Sequence, residues 1–232
     1  MNLDTNCLEI NKETAELVGI ILGDGSIGIY PERWQHQLDI SLNNIDEPNY
    51  VIYVKHLMES IFNEKVNLSN ISGKGVSLRY YKKDIIESLL KLGLVAGNKT
   101  KHQVSVPVNI LNNQNFAKLC LKGLFDTDGS VSIDSATDLR LMFSSCSKPL
   151  ALNFYNICNS LGIDPSPSII YNSKRRSWRI MIAKKDSINK FLTLIKPEKL
   201  KEPYRRIWLG CKILHLNSEY ATLDILKRIL YF

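Results

Sequence analysis

Hydrophobic and polar positions along this chain change period in a fixed order, and the order occurs twice. From Lys12 to Gly23 the apolar residues recur at helical spacing, and the run ends in Asp24-Gly25. A short β-run follows from Ser26 to Tyr30, and Pro31 to Trp34 makes a turn. Gln35 to Leu42 alternates, with Leu38, Ile40 and Leu42 on one side and Gln37, Asp39 and Ser41 on the other, which predicts a strand with one buried and one wet face. Pro48 opens a helix carrying Tyr50, Val51, Val54, Leu57, Met58 and Ile61. Val66 to Ser69 and Val76 to Tyr80 predict a second hairpin, and Asp84 to Leu92 returns to helical spacing.

The second half repeats the sequence of elements. After an apolar run ending in Asp128-Gly129, Ser130 to Ile133 precedes a strand in which Leu139, Leu141 and Phe143 alternate with Arg140, Met142 and Ser144. Pro149 opens a helix with Leu150, Phe154, Ile157 and Leu161, Ser168 to Tyr171 and Trp178 to Ile182 form a hairpin, and Asp186 to Ile195 is helical. Short matches fix the register: Lys82-Lys83-Asp84 with Lys184-Lys185-Asp186, and Lys99-Thr-Lys101 with Lys199-Leu-Lys201. Val104 to Asn115, with Pro107 and four asparagines, reads as a linker, and Tyr204 to Phe232 as one or two closing helices. The expectation is an α+β fold made of pseudo-twofold duplicated αββαββα units, residues 1–108 and 109–232.

The repeated element with chemical content is the nine-residue end of each opening helix, Leu17-Val-Gly-Ile-Ile-Leu-Gly-Asp-Gly25 and Leu121-Lys-Gly-Leu-Phe-Asp-Thr-Asp-Gly129. Each carries small residues four apart, Gly19 and Gly23 in one and Gly123 and Thr127 in the other, which lets two helix backbones approach closely. If these helices pack together, Asp24 and Asp128 meet at the base of the two sheets. Adjacent carboxylates repel and are driven to share a proton or a cation, and magnesium, an oxygen-seeking ion, suits them. Metal held there can stabilise the attacking and leaving oxygens of a phosphodiester. Two acids on a pseudo-twofold axis also suit a nearly twofold substrate, as duplex nucleic acid is. A single Asp-Gly is an ordinary helix end; two in one register, each after a small-xxx-small helix, point to a site. The segments are not EF-hands, because the twelfth position from Asp126 is Thr137 and from Asp24 is Gln35, where a glutamate is required.

Charge and cysteine usage narrow the setting. The formal net charge is +7, from 30 Lys+Arg against 23 Asp+Glu, compatible with a polyanionic partner. No apolar run approaches the roughly 20 residues needed to cross a bilayer, so no membrane partner is expected. The acidic N-terminus lacks an apolar segment and does not read as a secretory signal. Five cysteines, at 7, 120, 146, 158 and 211, are scattered and free of any C-x-x-C, which argues against a disulfide framework or zinc site. An intracellular setting is expected: prokaryotic cytoplasm or nucleoid, or an organelle interior.

On the motif present twice and on the strand and helix order, the chain resembles the LAGLIDADG homing endonucleases in their two-repeat, monomeric form. The resemblance implies two saddle-shaped antiparallel sheets along the DNA major groove, around a central pair of motif helices. It makes Asp24 and Asp128 the catalytic metal-binding acids, assisted by the carbonyls of Gly23 and Thr127, with two or three Mg2+ ions for which Mn2+ substitutes. It also implies a lysine near the end of each repeat that serves the scissile phosphate, here Lys101 and Lys201. Leu22 departs from the acid expected at the sixth motif position, where the second repeat has Asp126; that position is expected to cap or face solvent. Asn43, Asn44 and Ser145 are candidates to hold a water network. Gln35, Gln37, Asp39, Ser41, Arg79, Arg140 and Arg179, on the wet faces of strands, are candidates for base contacts, and Lys74, Lys174, Arg175 and Arg176, in turns, for phosphate contacts.

The implied function is an intron-encoded, site-specific endonuclease that makes a metal-dependent double-strand break in a long pseudo-palindromic DNA by phosphodiester hydrolysis. The alternatives are an RNA maturase, with its own intron RNA as partner, and a DNA-binding regulator that does not cut. Other nuclease signatures are missing: Gly28-Ile-Tyr30 has no matching Tyr-Ile-Gly, and the histidines at 36, 56, 102 and 215 form no cluster.

Overall fold

The computed structural model describes residues 8–71, 73–134, 138–166, 169–174 and 176–201; Arg175 and the helices expected after Tyr204 lie outside the described residues. Asn11 starts the first helix, α1 (Lys12–Asp24), its side-chain oxygen accepting the Thr14 N–H at 2.8 Å. The chain passes directly into β1 (Gly25–Tyr30), turns through Pro31–Arg33, and returns as β2 (Gln35–Asn43). Next come α2 (Pro48–Phe62), β3 (Asn67–Asn70), β4 (Gly75–Tyr80), α3 (Lys83–Lys91) and two single-turn helices, α4 (Lys99–His102) and α5 (Val108–Leu111). The second half runs α6 (Gln114–Asp128), β5 (Gly129–Asp134), β6 (Asp138–Ser145), α7 (Lys148–Ser160), β7 (Ile170–Asn172), β8 (Ser177–Ile182), α8 (Lys185–Ile195) and a 3-10 turn at Glu198–Lys201.

Both sheets are antiparallel and share one topology, β1-β2-β4-β3 and β5-β6-β8-β7. Leu38, Ile40 and Leu42 of β2 and Leu78 of β4 are buried beneath the helices, while Asp39 and Ser41 take the other face, as the alternation predicts. The segment read as a linker is more ordered than expected. Pro107 starts α5 and Asn113 caps α6 by accepting the N–H groups of Asn115 and Phe116. Four-residue helices are too short to show a period, which is why the sequence reads there as loop.

The two halves meet through α1 and α6, and the pseudo-symmetry is visible in individual atoms. A Cβ on Gly19 would overlap the carbonyl oxygen of Cys120, and one on Gly123 would overlap the carbonyl oxygen of Glu16 and lie 2.7 Å from the Ile20 nitrogen. Glu16 and Cys120 occupy the same position three residues before these glycines. At the end of the contact, a Cβ on Gly23 would collide with the side chain of Thr127. The backbones therefore touch without intervening side chains. Gly19→Ala should lower stability by about 1–3 kcal/mol through overpacking, measured by denaturant unfolding; an unchanged midpoint would contradict backbone contact there.

The glycines after each acid have a different role. Gly25 and Gly129 are extended, with φ of −88° and −84°, so the left-handed glycine cap of an ordinary helix end is absent at both. A Cβ on Gly25 would lie 2.6 Å from the Ile21 Cα, and one on Gly129 would lie 2.7 Å from the Phe125 Cγ. Only glycine lets each strand start in direct continuation of its helix, holding the preceding aspartate at the junction of helix and sheet.

Candidate active site

Asp24 and Asp128 are the last residues of α1 and α6, where the carbonyl ends of two helices converge. Negative charge is disfavoured at such ends. Burial pushes the Asp128 carboxyl up to about 6, with the charge of Asp24 adding to the rise and Lys99 and Lys199 opposing it. Asp24 is also raised, by burial first and by Glu47, against Lys199 and Lys99. The order of these neighbours is reciprocal: Lys199 acts more strongly on Asp24 and Lys99 more strongly on Asp128. Each acid is thus influenced more by the lysine of the other half.

The lysines reach this place by different routes. Asn98 starts α4, its side chain accepting the Lys101 N–H at 3.0 Å, and the adjacent Lys99 sends its ammonium to the open carbonyls ending α1. Lys99 Nζ donates to Ile21 O at 3.1 Å, to Leu22 O at 3.0 Å and to Gly23 O. Burial draws its pKa below the usual lysine range, and Asp128 and Asp24 counter that. Lys199 Nζ lies 2.8 Å from Glu47 Oε2, 4.0 Å from Asp24 Oδ2 and 5.0 Å from the centre of the Tyr50 ring.

The 3-10 turn that presents Lys199 is held by α6. Asp126, 1% exposed, accepts the backbone N–H of Glu198 at 2.9 Å and of Lys199 at 3.0 Å. One turn earlier, Lys122 Nζ lies 3.4 Å from Glu198 Oε2. Burial pushes Asp126 up to about 7, while those two N–H groups and Lys122 lower it. The sixth motif position therefore caps, facing inward rather than to solvent. In the first half it is Leu22, buried and apolar, so the clasp exists on one side only.

Lys101 and Lys201, the lysines expected near the scissile phosphate, stand outside this group. Both are exposed, and Lys201 pairs with the Glu198 carboxylate at 2.9 Å. Lys99 and Lys199, two residues earlier in each Lys-x-Lys, occupy the place beside the acids. Glu47, buried at the start of α2, is a site residue that the sequence reading omits; its only signal is its position before Pro48. Asn43 is occupied within its own turn, accepting the N–H groups of Ile45 and Asp46, and the Ser145 hydroxyl accepts the Ser147 N–H.

A divalent ion would find two carboxylates here and the carbonyls at the helix ends, of which Gly23 O already receives Lys99 and Thr127 precedes Asp128. Among the described residues no group of three or more His, Cys, Asp or Glu is placed to hold an ion. The hard oxygen donors fit magnesium or manganese completed by phosphate and water, and do not fit a closed zinc site.

On the outer faces of the sheets, Ser41 is exposed and Gln35, Gln37, Asp39, Arg79, Arg140 and Arg179 are half-buried. Lys174 and Arg176 are exposed at the β7–β8 turn, and Lys74 pairs with Asp46 at 3.2 Å. These residues do not join the acid pair; they line the surfaces that flank it.

Residues 115–196 match the family described as LAGLIDADG-like domain, and residues 13–97 that described as WhiA LAGLIDADG-like domain. No curated protein sequence gives a significant match. Mesophilic variants of the homing endonuclease I-DmoI are similar in structure, with a TM-score of 0.60, 17% identity, and coverage of 83% of this chain and 93% of theirs. I-DmoI in complex with DNA and Mn gives 0.58, 20% identity, and 79% and 96% coverage. I-SmaMI bound to an uncleaved DNA target with calcium ions gives 0.59, 13% identity, and 95% and 98% coverage.

Proposed function

The chain belongs to the LAGLIDADG family, with both repeats in one polypeptide, and from that premise we propose that it is a site-specific DNA endonuclease that cuts both strands of a long target as a monomer. The observation that carries this reading is the pair of half-buried acids at the converging helix ends, with Lys199 4.0 Å from Asp24 and Lys99 on the carbonyls that precede it. Keeping two carboxylates this close is costly for a protein that only binds. Magnesium, when bound, supplies charge for the oxygens of the phosphodiester under attack. Asp24 and Asp128 would hold the ion. Lys99 and Lys199 bring positive charge beside the acids, which favours the negative charge that develops on the phosphate. The outer sheet faces align the duplex, and the turn residues Lys174 and Arg176 meet its phosphates.

A second reading is DNA binding without cleavage; residues 13–97 match the WhiA variety of the domain and not the general one that residues 115–196 match. The test is a plasmid bearing the allele that lacks this reading frame. The endonuclease should linearise it with magnesium, stop with chelator, and lose affinity steeply as salt rises. Retained binding with no cut in magnesium or manganese favours the second reading; no cut together with accelerated splicing of a host intron would make the protein a maturase.

The lysines give a finer test. Lys99→Met and Lys199→Met should each slow cleavage by about 100-fold or more, with nicked circles accumulating because one strand is affected first. Lys101→Met and Lys201→Met should stay within a fewfold of the parent. The opposite ranking would return the role to the exposed pair.

A further inference from the structure

The two sheets share a topology, but their outer faces differ at equivalent positions. Ile40 lies opposite Gly25 and Phe143 opposite Gly129, so Asp39 of β2 and Met142 of β6 hold one register position. Their partners across the next strand are Arg79 and Met181. By the same register Gln37 answers to Arg140 and Ser77 to Arg179.

In the first sheet this position is the centre of a polar ladder. Asp39 Oδ2 accepts Arg79 Nε at 2.9 Å and Gln37 Nε2 at 3.1 Å, its other oxygen takes the Ser77 hydroxyl, and Gln35 Nε2 donates to Gln37 Oε1 at 3.2 Å. Asp39 holds Nε and the Tyr81 hydroxyl also lies against the guanidinium, so the Arg79 plane is fixed on the outer face; a guanidinium so fixed suits the paired acceptors that guanine presents through O6 and N7 in the major groove. In the second sheet the same position holds two half-buried thioether chains, Met142 opposite Met181. They offer no strong donor or acceptor. Arg140 and Arg179 flank them, and the buried Arg179 Nε has no partner among the described residues. The apolar group exposed in the major groove is the thymine methyl, which soft, adaptable methionine chains fit.

Resting on the DNA reading above, we propose that the halves read chemically different bases at this symmetry-related position: guanine beneath Arg79, and thymine, through its methyl group, beneath Met142 and Met181. The target is then asymmetric there, whatever symmetry it keeps elsewhere, and the protein binds in one orientation. The ion pair and the methionine pair are alternative solutions to one steric slot, so exchanging them exchanges the base.

The probe is a randomised duplex library bound by the full chain, followed by resynthesis of the selected site with deoxyuridine replacing thymidine in one half at a time. Loss of the methyl under the methionine pair should weaken binding about fourfold, the value of one buried carbon, with no change from the other half. Met142→Asp combined with Met181→Arg should move the preference at that position from T·A to G·C. Equal tolerance of deoxyuridine in both halves, or the same base selected in both, overturns the proposal, and the deoxyuridine arm does so with the unaltered protein. A library that yields no bound duplex overturns the DNA reading itself, a result distinct from a bound site indifferent to methyl groups.

Discussion

Asp24→Asn and Asp128→Asn should each abolish double-strand cleavage, leave DNA affinity nearly unchanged, and, for Asp128→Asn, raise the melting temperature. The amide keeps the shape of the carboxyl and loses the charge that would hold a cation. The stability gain follows from the direction of the shift. Folding raises the Asp128 carboxyl from 3.8 to about 6, so the native state holds its proton more tightly than the unfolded chain does. Stability therefore falls as pH rises through that interval, and the deficit persists at neutral pH. Removing it is worth at most about 3 kcal/mol, less where solvent screens the acid. Below about pH 6 the metal-free Asp128 holds its proton, which a divalent ion must displace, so the metal concentration needed for cleavage should rise as pH falls through that value. Plasmid linearisation, binding titration and calorimetry measure the three effects separately. Cleavage at the parent rate by either variant would remove the acid from the mechanism, and a lower melting temperature for Asp128→Asn would contradict the cost of its burial.

Lys122→Met should be the most damaging single change to stability, by about 3–5 kcal/mol, because it leaves a buried carboxylate uncompensated. Lys122 Nζ lies 2.7 Å from Glu16 Oε1 and 2.8 Å from the Tyr53 hydroxyl, which itself donates to Glu16 at 2.6 Å. The ammonium also stands 4.5 Å from the centre of the Tyr53 ring. Burial alone would lower the Lys122 pKa, yet Glu16 and Tyr53 raise it above the usual lysine range. A charge that strongly paired cannot be removed alone. Replacing the pair together, Glu16→Leu with Lys122→Met, should recover most of the loss, since apolar residues of similar volume often serve as well as a buried ion pair. Urea unfolding of the two single variants and the double gives the coupling directly; additive losses would mean the groups do not interact.

Much of this architecture is legible in the sequence because it depends on period. The alternation along Gln35 to Leu42 fixes which face of β2 is buried, and the duplicated motif fixes which helices meet and where the acids fall. What escapes is decided by geometry over three or four residues. Lys-x-Lys offers two candidates in each half, and the choice rests on Asn98 beginning a one-turn helix and on Asp126 capping a 3-10 turn, neither of which leaves a periodic trace. Glu47 joins the site through a turn that Asn43 closes with its side chain, and a lone glutamate before a proline carries no sign of a distant lysine. Asp39 reads as a base contact by its wet-side position; that its oxygens accept from Arg79, Gln37 and Ser77 depends on the pairing of β2 with β4, which alternation alone does not name.

The contact of Thr127 with Gly23 bears on how the two halves recognise each other. Two copies of the second half would bring threonine against threonine where the space admits one side chain, and two copies of the first would leave glycine facing glycine across an unfilled gap. The threonine fills the notch that the glycine leaves, so each half fits the other better than it fits itself. Joining the repeats in one chain relaxes the demand that each motif helix pair with its own twin, and this lock-and-notch contact uses that freedom. If the halves were expressed as separate polypeptides, they should assemble as a mixed pair in preference to either self-pair. Exchanging Gly23 and Thr127 should preserve that preference, whereas placing threonine at both positions should weaken it.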